Sequence, residues 1–92
     1  MQKTRTTVRI AGRDYAMSGY DTEEYMHRVA AYVDRTMTEI SLSAVSLTQV
    51  QLAVLTALNV ADDMLKAHDE NNRLKREVEQ LHIQLDELRA GR

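Results

Sequence analysis

The chain has 92 residues, 28% of them charged, a formal net charge of −2, and no Cys, Trp, Phe or Pro. That length allows one small domain plus an extension, with a modest core. The absence of cysteine excludes disulfides, thiolate metal sites and thiol nucleophiles, and the slightly acidic balance argues against non-specific nucleic-acid binding as the main activity.

Met1 to Arg9 is basic but lacks the apolar run of a signal peptide. No stretch approaches membrane-spanning length, so the expectation is a cytoplasmic chain. From Thr6 to Ala11 the side chains alternate, with Val8 and Ile10 on one face and Thr7 and Arg9 on the other. Asp14 to Ser18 alternates again, placing Tyr15 and Met17 together. Read as a two-residue loop with Gly first, Gly12-Arg13 predicts a type II′ hairpin pairing Ile10 with Tyr15 and Val8 with Met17. Two strands alone are barely stable, so the apolar face must cover a helix or join a second hairpin in a dimer.

After the Ser18-Gly19-Tyr20 connection, Asp21 is the expected N-cap of a first helix, accepting from the Glu24 amide. Met26, Val29, Ala30, Val33, Met37 and Ile40 then fall at helical spacing, opposite Glu23, Arg28, Arg35 and Glu39. The five Met and four Tyr side chains mostly fall on apolar stripes and are expected in the core. Ser41 to Ser46 reads as a Ser-rich break, after which Ser46 with Gln49, or Thr48 with Gln51, caps a second helix.

That helix has no Gly or Pro from Leu47 to Ala90. Between Leu52 and Leu65 it is apolar almost all round, so one side must face the first helix and hairpin and the other a partner chain. Further on, Leu74, Val78, Leu81, Leu85 and Leu88 are spaced by four, three, four and three residues, which is a coiled-coil seam. With Leu74, Leu81 and Leu88 at d and Val78 and Leu85 at a, Asn71 and Met64 also take a positions, and Ala67 and Val60 take d. The g positions Glu70, Glu77 and Gln84 would meet Lys75, His82 and Arg89 at e in a parallel pair, whereas an antiparallel pair opposes like charges. The buried polar Asn71 favours the same two-stranded, in-register state. Ile83 falls at f and should face water. The division into a head, residues 1–66, and a stalk, residues 67–92, needs no linker.

Catalytic chemistry finds no support. His27, His68 and His82 are scattered without zinc spacing, Asp62-Asp63 reads as a solvated face, and there is no Gly-rich phosphate loop. Asn59 reads as a hydrogen-bonding residue of the helix or dimer. Lys3, Arg5, Arg9 and Arg13 form a basic hairpin, the alternative reading being a small dimeric regulator that binds nucleic acid there, although stacking aromatics are missing. No cofactor or metal is implied.

The order of elements, the Gly12-Arg13 turn, the Asp14-Tyr15 return strand and the segment Leu52 to Asn59 (LAVLTALN) opening the coiled coil together resemble the cell-division protein ZapA family. The resemblance covers nearly the whole chain and implies an α+β, mostly helical fold: an N-terminal hairpin and amphipathic helix capping a long C-terminal helix. It implies a non-enzymatic homodimer, in some members a tetramer of two dimers, that binds the tubulin-like protein FtsZ and cross-links its filaments at the mid-cell division site. Charged head residues are the implied filament contact. Arg13 matches the family's turn arginine, with Arg9 and Asp14 beside it, whereas Thr48-Gln49-Val50-Gln51 is uncharged where some relatives carry a charge. The dimer interface expected from the heptad register comprises Val60, Met64, Asn71, Leu74, Val78, Leu81, Leu85 and Leu88.

Overall fold

A computed structural model describes residues 2–43 and 46–91. Strands β1 (Thr4–Ile10) and β2 (Arg13–Gly19) form an antiparallel hairpin, followed by helices α1 (Glu23–Ser43) and α2 (Gln49–Ala90). The fold is α+β and mostly helical. Residues Met1–Val60 form one compact unit and Ala61–Arg92 a second.

The hairpin forms with the expected inward face but a different turn and register. Its loop is Ala11-Gly12, and the pairs are Ile10 with Arg13, Arg9 with Asp14, Val8 with Tyr15 and Thr6 with Met17. Both loop residues have positive φ, 52° at Ala11 and 78° at Gly12, as a type I′ turn requires. An L-alanine in that region is strained by roughly 1–2 kcal/mol. Here the carboxylate of Asp34 on α1 accepts from the Ala11 amide at 2.8 Å, a tertiary contact that holds the turn. The expected Gly12-Arg13 turn is therefore displaced by one residue and the register by two. Because side chains alternate with period two, a two-residue slip leaves Val8, Ile10, Tyr15 and Met17 on one face.

That face packs on α1. Val8, Met26 and Ala30 are buried there, Met26 almost completely. Gly19 makes room for Met26, since a Cβ on it would lie 3.1 Å from the methionine methyl. At the edge of the contact the Thr6 hydroxyl donates to Glu23 at 2.9 Å and sits 3.2 Å from the His27 ring.

Thr22, not Asp21, caps α1. Its hydroxyl accepts from the Tyr25 amide at 3.1 Å, and its carbonyl accepts from the Met26 amide. Asp21 and Thr22 are adjacent, and the one that immediately precedes the first turn at Glu23 takes the role. The helix also runs further than the expected Ser-rich break: Ser41 to Ser43 complete its last turn, with the Ser43 hydroxyl donating to the Ile40 carbonyl at 3.1 Å. Ala44 and Val45, part of that break, lie outside the described residues.

A full capping box opens α2. The Gln51 amide donates to the Thr48 hydroxyl and the Thr48 amide to the Gln51 side chain, each at 3.1 Å. Of the two caps the sequence allows, Thr48 is the one used. The helix closes at Gly91, whose amide reaches the Glu87 carbonyl at 2.8 Å. Among the described residues no helix is long and apolar enough to cross a membrane.

Candidate functional site

The described residues hold no group of three or more His, Cys, Asp or Glu that could bind a metal, and the features that stand out are surfaces. Along α2 the seam positions Met64, Leu74, Val78, Leu81, Leu85 and Leu88 are all open to solvent in the single chain, Leu88 at 72%. Asn71 is exposed beside them, and Val60 alone is half-buried. Met64, Ala67, Asn71 and Leu74 border one shallow depression, as neighbouring a and d positions of one stripe should. Val54, Leu58 and Leu65 are also more than half exposed. A helix that leaves this much aliphatic surface uncovered has the character of an interface between chains.

Two of the seam's flanking acids have partners within the chain. Arg73 bonds both Glu70 and, at 2.7 Å, Glu77. This network raises the guanidinium's proton affinity above its ordinary value, chiefly through the hydrogen bond to Glu70, and the same bond holds the Glu70 carboxyl below the usual carboxylate range. One turn back, the hydrogen bond from Lys66 to Asp62, at 2.9 Å, raises the lysine above its ordinary value. Asn59 donates to the Leu55 carbonyl at 2.9 Å, so it bonds its own helix. His68 and His82 remain separate surface side chains on α2.

At the other end of the 1–60 unit, the hairpin splits its charged residues between two faces. Arg9 and Asp14 lie opposite each other on the outer face and form an ion pair at 2.9 Å. Arg13 is on the inner-face register with Ile10, at the turn. It borders a cleft of about 260 Å³ with Tyr15, Met37, Val50 and Leu52. The structure thus brings Arg9 and Asp14 together and sets Arg13 apart from them. Pairing with Asp14 also removes much of the free positive charge a phosphate backbone would need at Arg9.

The tyrosines depart from the expected core. Tyr15, Tyr20 and Tyr25 are about half exposed or more, with Tyr20 at 65%, because a hydroxylated ring keeps its polar end in water at little cost. On α1, Tyr25, Arg28, Tyr32 and Arg35 recur at spacings of three, four and three. The Arg28 guanidinium lies 5.9 Å from the Tyr25 ring centre and that of Arg35 5.3 Å from the Tyr32 ring. This stripe borders a groove of about 510 Å³ whose floor is Val29, Val33 and Val60. Its spacing is written in the sequence, but reading Arg28 and Arg35 as a plain solvated face hid it.

A family model described as cell division protein ZapA matches residues 6–91. The cell division protein ZapA of Halalkalibacterium halodurans is 47% identical over 68 residues, 74% of this chain and 75% of that protein. The ZapA of Bacillus pumilus is 45% identical over 85 residues, 92% of each chain. Among solved structures, a ZapA mutant dimer from Geobacillus stearothermophilus superposes with a TM-score of 0.69 at 39% identity, covering 86% of this chain and 92% of that one.

Proposed function

This chain belongs to the cell division protein ZapA family, and on that footing we propose that it binds FtsZ filaments and cross-links them at the mid-cell division site, in the cytoplasm, as a homodimer. No catalytic step is assigned to it. The observation that carries the reading is the exposed heptad seam of α2 in a member of this family. Met64, Asn71, Leu74, Val78, Leu81, Leu85 and Leu88, with Val60 at the upper end, are the proposed dimer contacts. The dimeric state of the solved relative supports that assignment. Arg13, Arg9 and Asp14 are the proposed filament contacts, Arg13 carrying the one charge of the three that no partner across the hairpin takes up.

Two binding surfaces on one particle turn the second filament contact into an intramolecular event, which raises avidity without any new contact. Cross-linking therefore depends on holding two heads together. A chain truncated after Lys66 loses Asn71 and every seam leucine, yet keeps the hairpin. It is expected to co-sediment with FtsZ polymer at high concentration but to produce no bundles in light scattering and electron microscopy. Intact bundling by a protein whose mass is that of a monomer would sink the mechanism. A gel shift with DNA at physiological salt, without FtsZ co-sedimentation, would move the assignment to the basic hairpin as a nucleic-acid surface.

A further inference from the structure

The register of the hairpin fixes which backbone groups of β1 lack partners. Ile10 and Arg13 close the two-residue loop, and hydrogen-bonded and non-hydrogen-bonded pairs alternate from there. Val8 with Tyr15 and Thr6 with Met17 therefore exchange ladder bonds, whereas the N–H and C=O groups of Arg5, Thr7 and Arg9 point away from β2. Among the described residues no third strand and no loop takes them up. The strand runs seven residues without a bulge or a Pro, so nothing in its backbone blunts this edge. The same three residues carry exposed side chains on the outer face. Across the ladder Thr7 faces only Ala16, and Arg5 faces Ser18 with no carboxylate partner among the described residues.

We propose that the free edge of β1 receives an extended acidic segment of a partner protein as a third strand, with carboxylates at alternate positions set opposite Arg5 and Arg9. Main-chain hydrogen bonds to Arg5, Thr7 and Arg9 hold the segment, and the side chains on its outer face select it. The two arginines are four residues apart on one strand, about 13 Å, so the carboxylates that meet them are also four residues apart. Arg9 exchanges Asp14 at little cost, because that ion pair is exposed, at 67% and 62% for the two side chains. A second copy of β1 is a poor occupant. Antiparallel pairing about Thr7 would set Arg5 of each copy against Arg9 of the other, and like charges directly opposite destabilise a sheet. The edge of β2 is a poor acceptor for the same segment, since Asp14 stands on it.

A labelled synthetic peptide, Glu-Val-Glu-Val-Glu-Val-Glu, tests this by fluorescence anisotropy with the full chain, against Glu-Glu-Glu-Glu-Val-Val-Val as a control of equal charge. No filament is present, so the outcome is independent of the filament reading. The alternating peptide should bind on the order of tenfold tighter than the control. Thr7→Pro removes one outward N–H and leaves the ladder to β2 intact. It should weaken binding about fivefold or more, whereas Thr7→Ala stays within about twofold. Arg5→Glu should weaken binding by a similar factor to Thr7→Pro, and circular dichroism checks that each variant folds. Amide exchange followed by NMR needs no variant: the peptide should protect Arg5, Thr7 and Arg9 and leave Val8 unchanged. The proposal is overturned if wild type binds neither peptide or both equally, if protection appears at Asp14, Ala16 and Ser18 instead, or if folded Thr7→Pro binds as wild type does.

Discussion

Leu81→Ala is the sharpest test of the seam. Leu81 is a d residue, 61% exposed in the single chain, and Ala keeps or improves helix propensity at that position. Fully burying a leucine side chain is worth about 1.5–3 kcal/mol, so covering the part still exposed contributes roughly 1–2 kcal/mol per chain. A symmetric dimer places both leucines in one layer, which doubles the loss to about 2–4 kcal/mol. At 1.4 kcal/mol per tenfold, the dimer Kd should rise by about one and a half to three orders of magnitude. Sedimentation equilibrium over a dilution series measures this, with circular dichroism at high concentration confirming the helix. Ile83→Ala is the control. Ile83 is nearly as exposed, at 54%, yet lies at f, so its loss should leave the monomer–dimer Kd within about twofold, as surface substitutions usually do. Equal weakening by the two substitutions, or no weakening by Leu81→Ala, would refute the register.

Arg13→Glu should weaken FtsZ co-sedimentation while leaving helical content and dimer mass unchanged, and undiminished co-sedimentation removes Arg13 from the filament contact. Asp34→Ala removes the acceptor of the Ala11 amide and should lower thermal stability by about 1 kcal/mol, a few degrees in Tm for a domain of this size. Ala11→Asn, which suits the left-handed region and creates an Asn-Gly type I′ loop, should raise Tm; a fall in Tm would contradict the turn assignment.

What the sequence made legible follows from where each signal is stored. The hairpin's faces are local, because alternation with period two is written in Thr6 to Ala11 and Asp14 to Ser18, and it survives a shift of two residues in register. The turn is not local. Ala11 adopts positive φ with an aspartate 23 positions away accepting from its amide, and no rule about adjacent residues contains that carboxylate. The caps lie between these cases: Thr48 and Gln51 satisfy each other and could be read directly, whereas Asp21 and Thr22 compete as neighbouring acceptors and backbone geometry decides. At the Tyr–Arg stripe the signal is local but ambiguous in kind. Spacing of three, four and three is present in the letters, but composition alone makes an arginine a solvated charge and a tyrosine a core ring, and each guanidinium lying over a ring shows that the two belong to one surface.

The seam is the opposite case, where periodicity is plain and a single chain still cannot display its purpose. Among the described residues the buried ones reduce to Val8, Met26, Ala30 and Thr56, a small return for the conformational entropy of ordering two helices and a hairpin. The aliphatic side chains that would offset that cost stand on α2 in a stripe that its own chain leaves open. On the proposed reading a second chain covers them, so folding and assembly draw on the same apolar surface. A change at Leu81 then moves the dimer Kd and the thermal stability together, whereas a change at Arg13 moves filament binding alone.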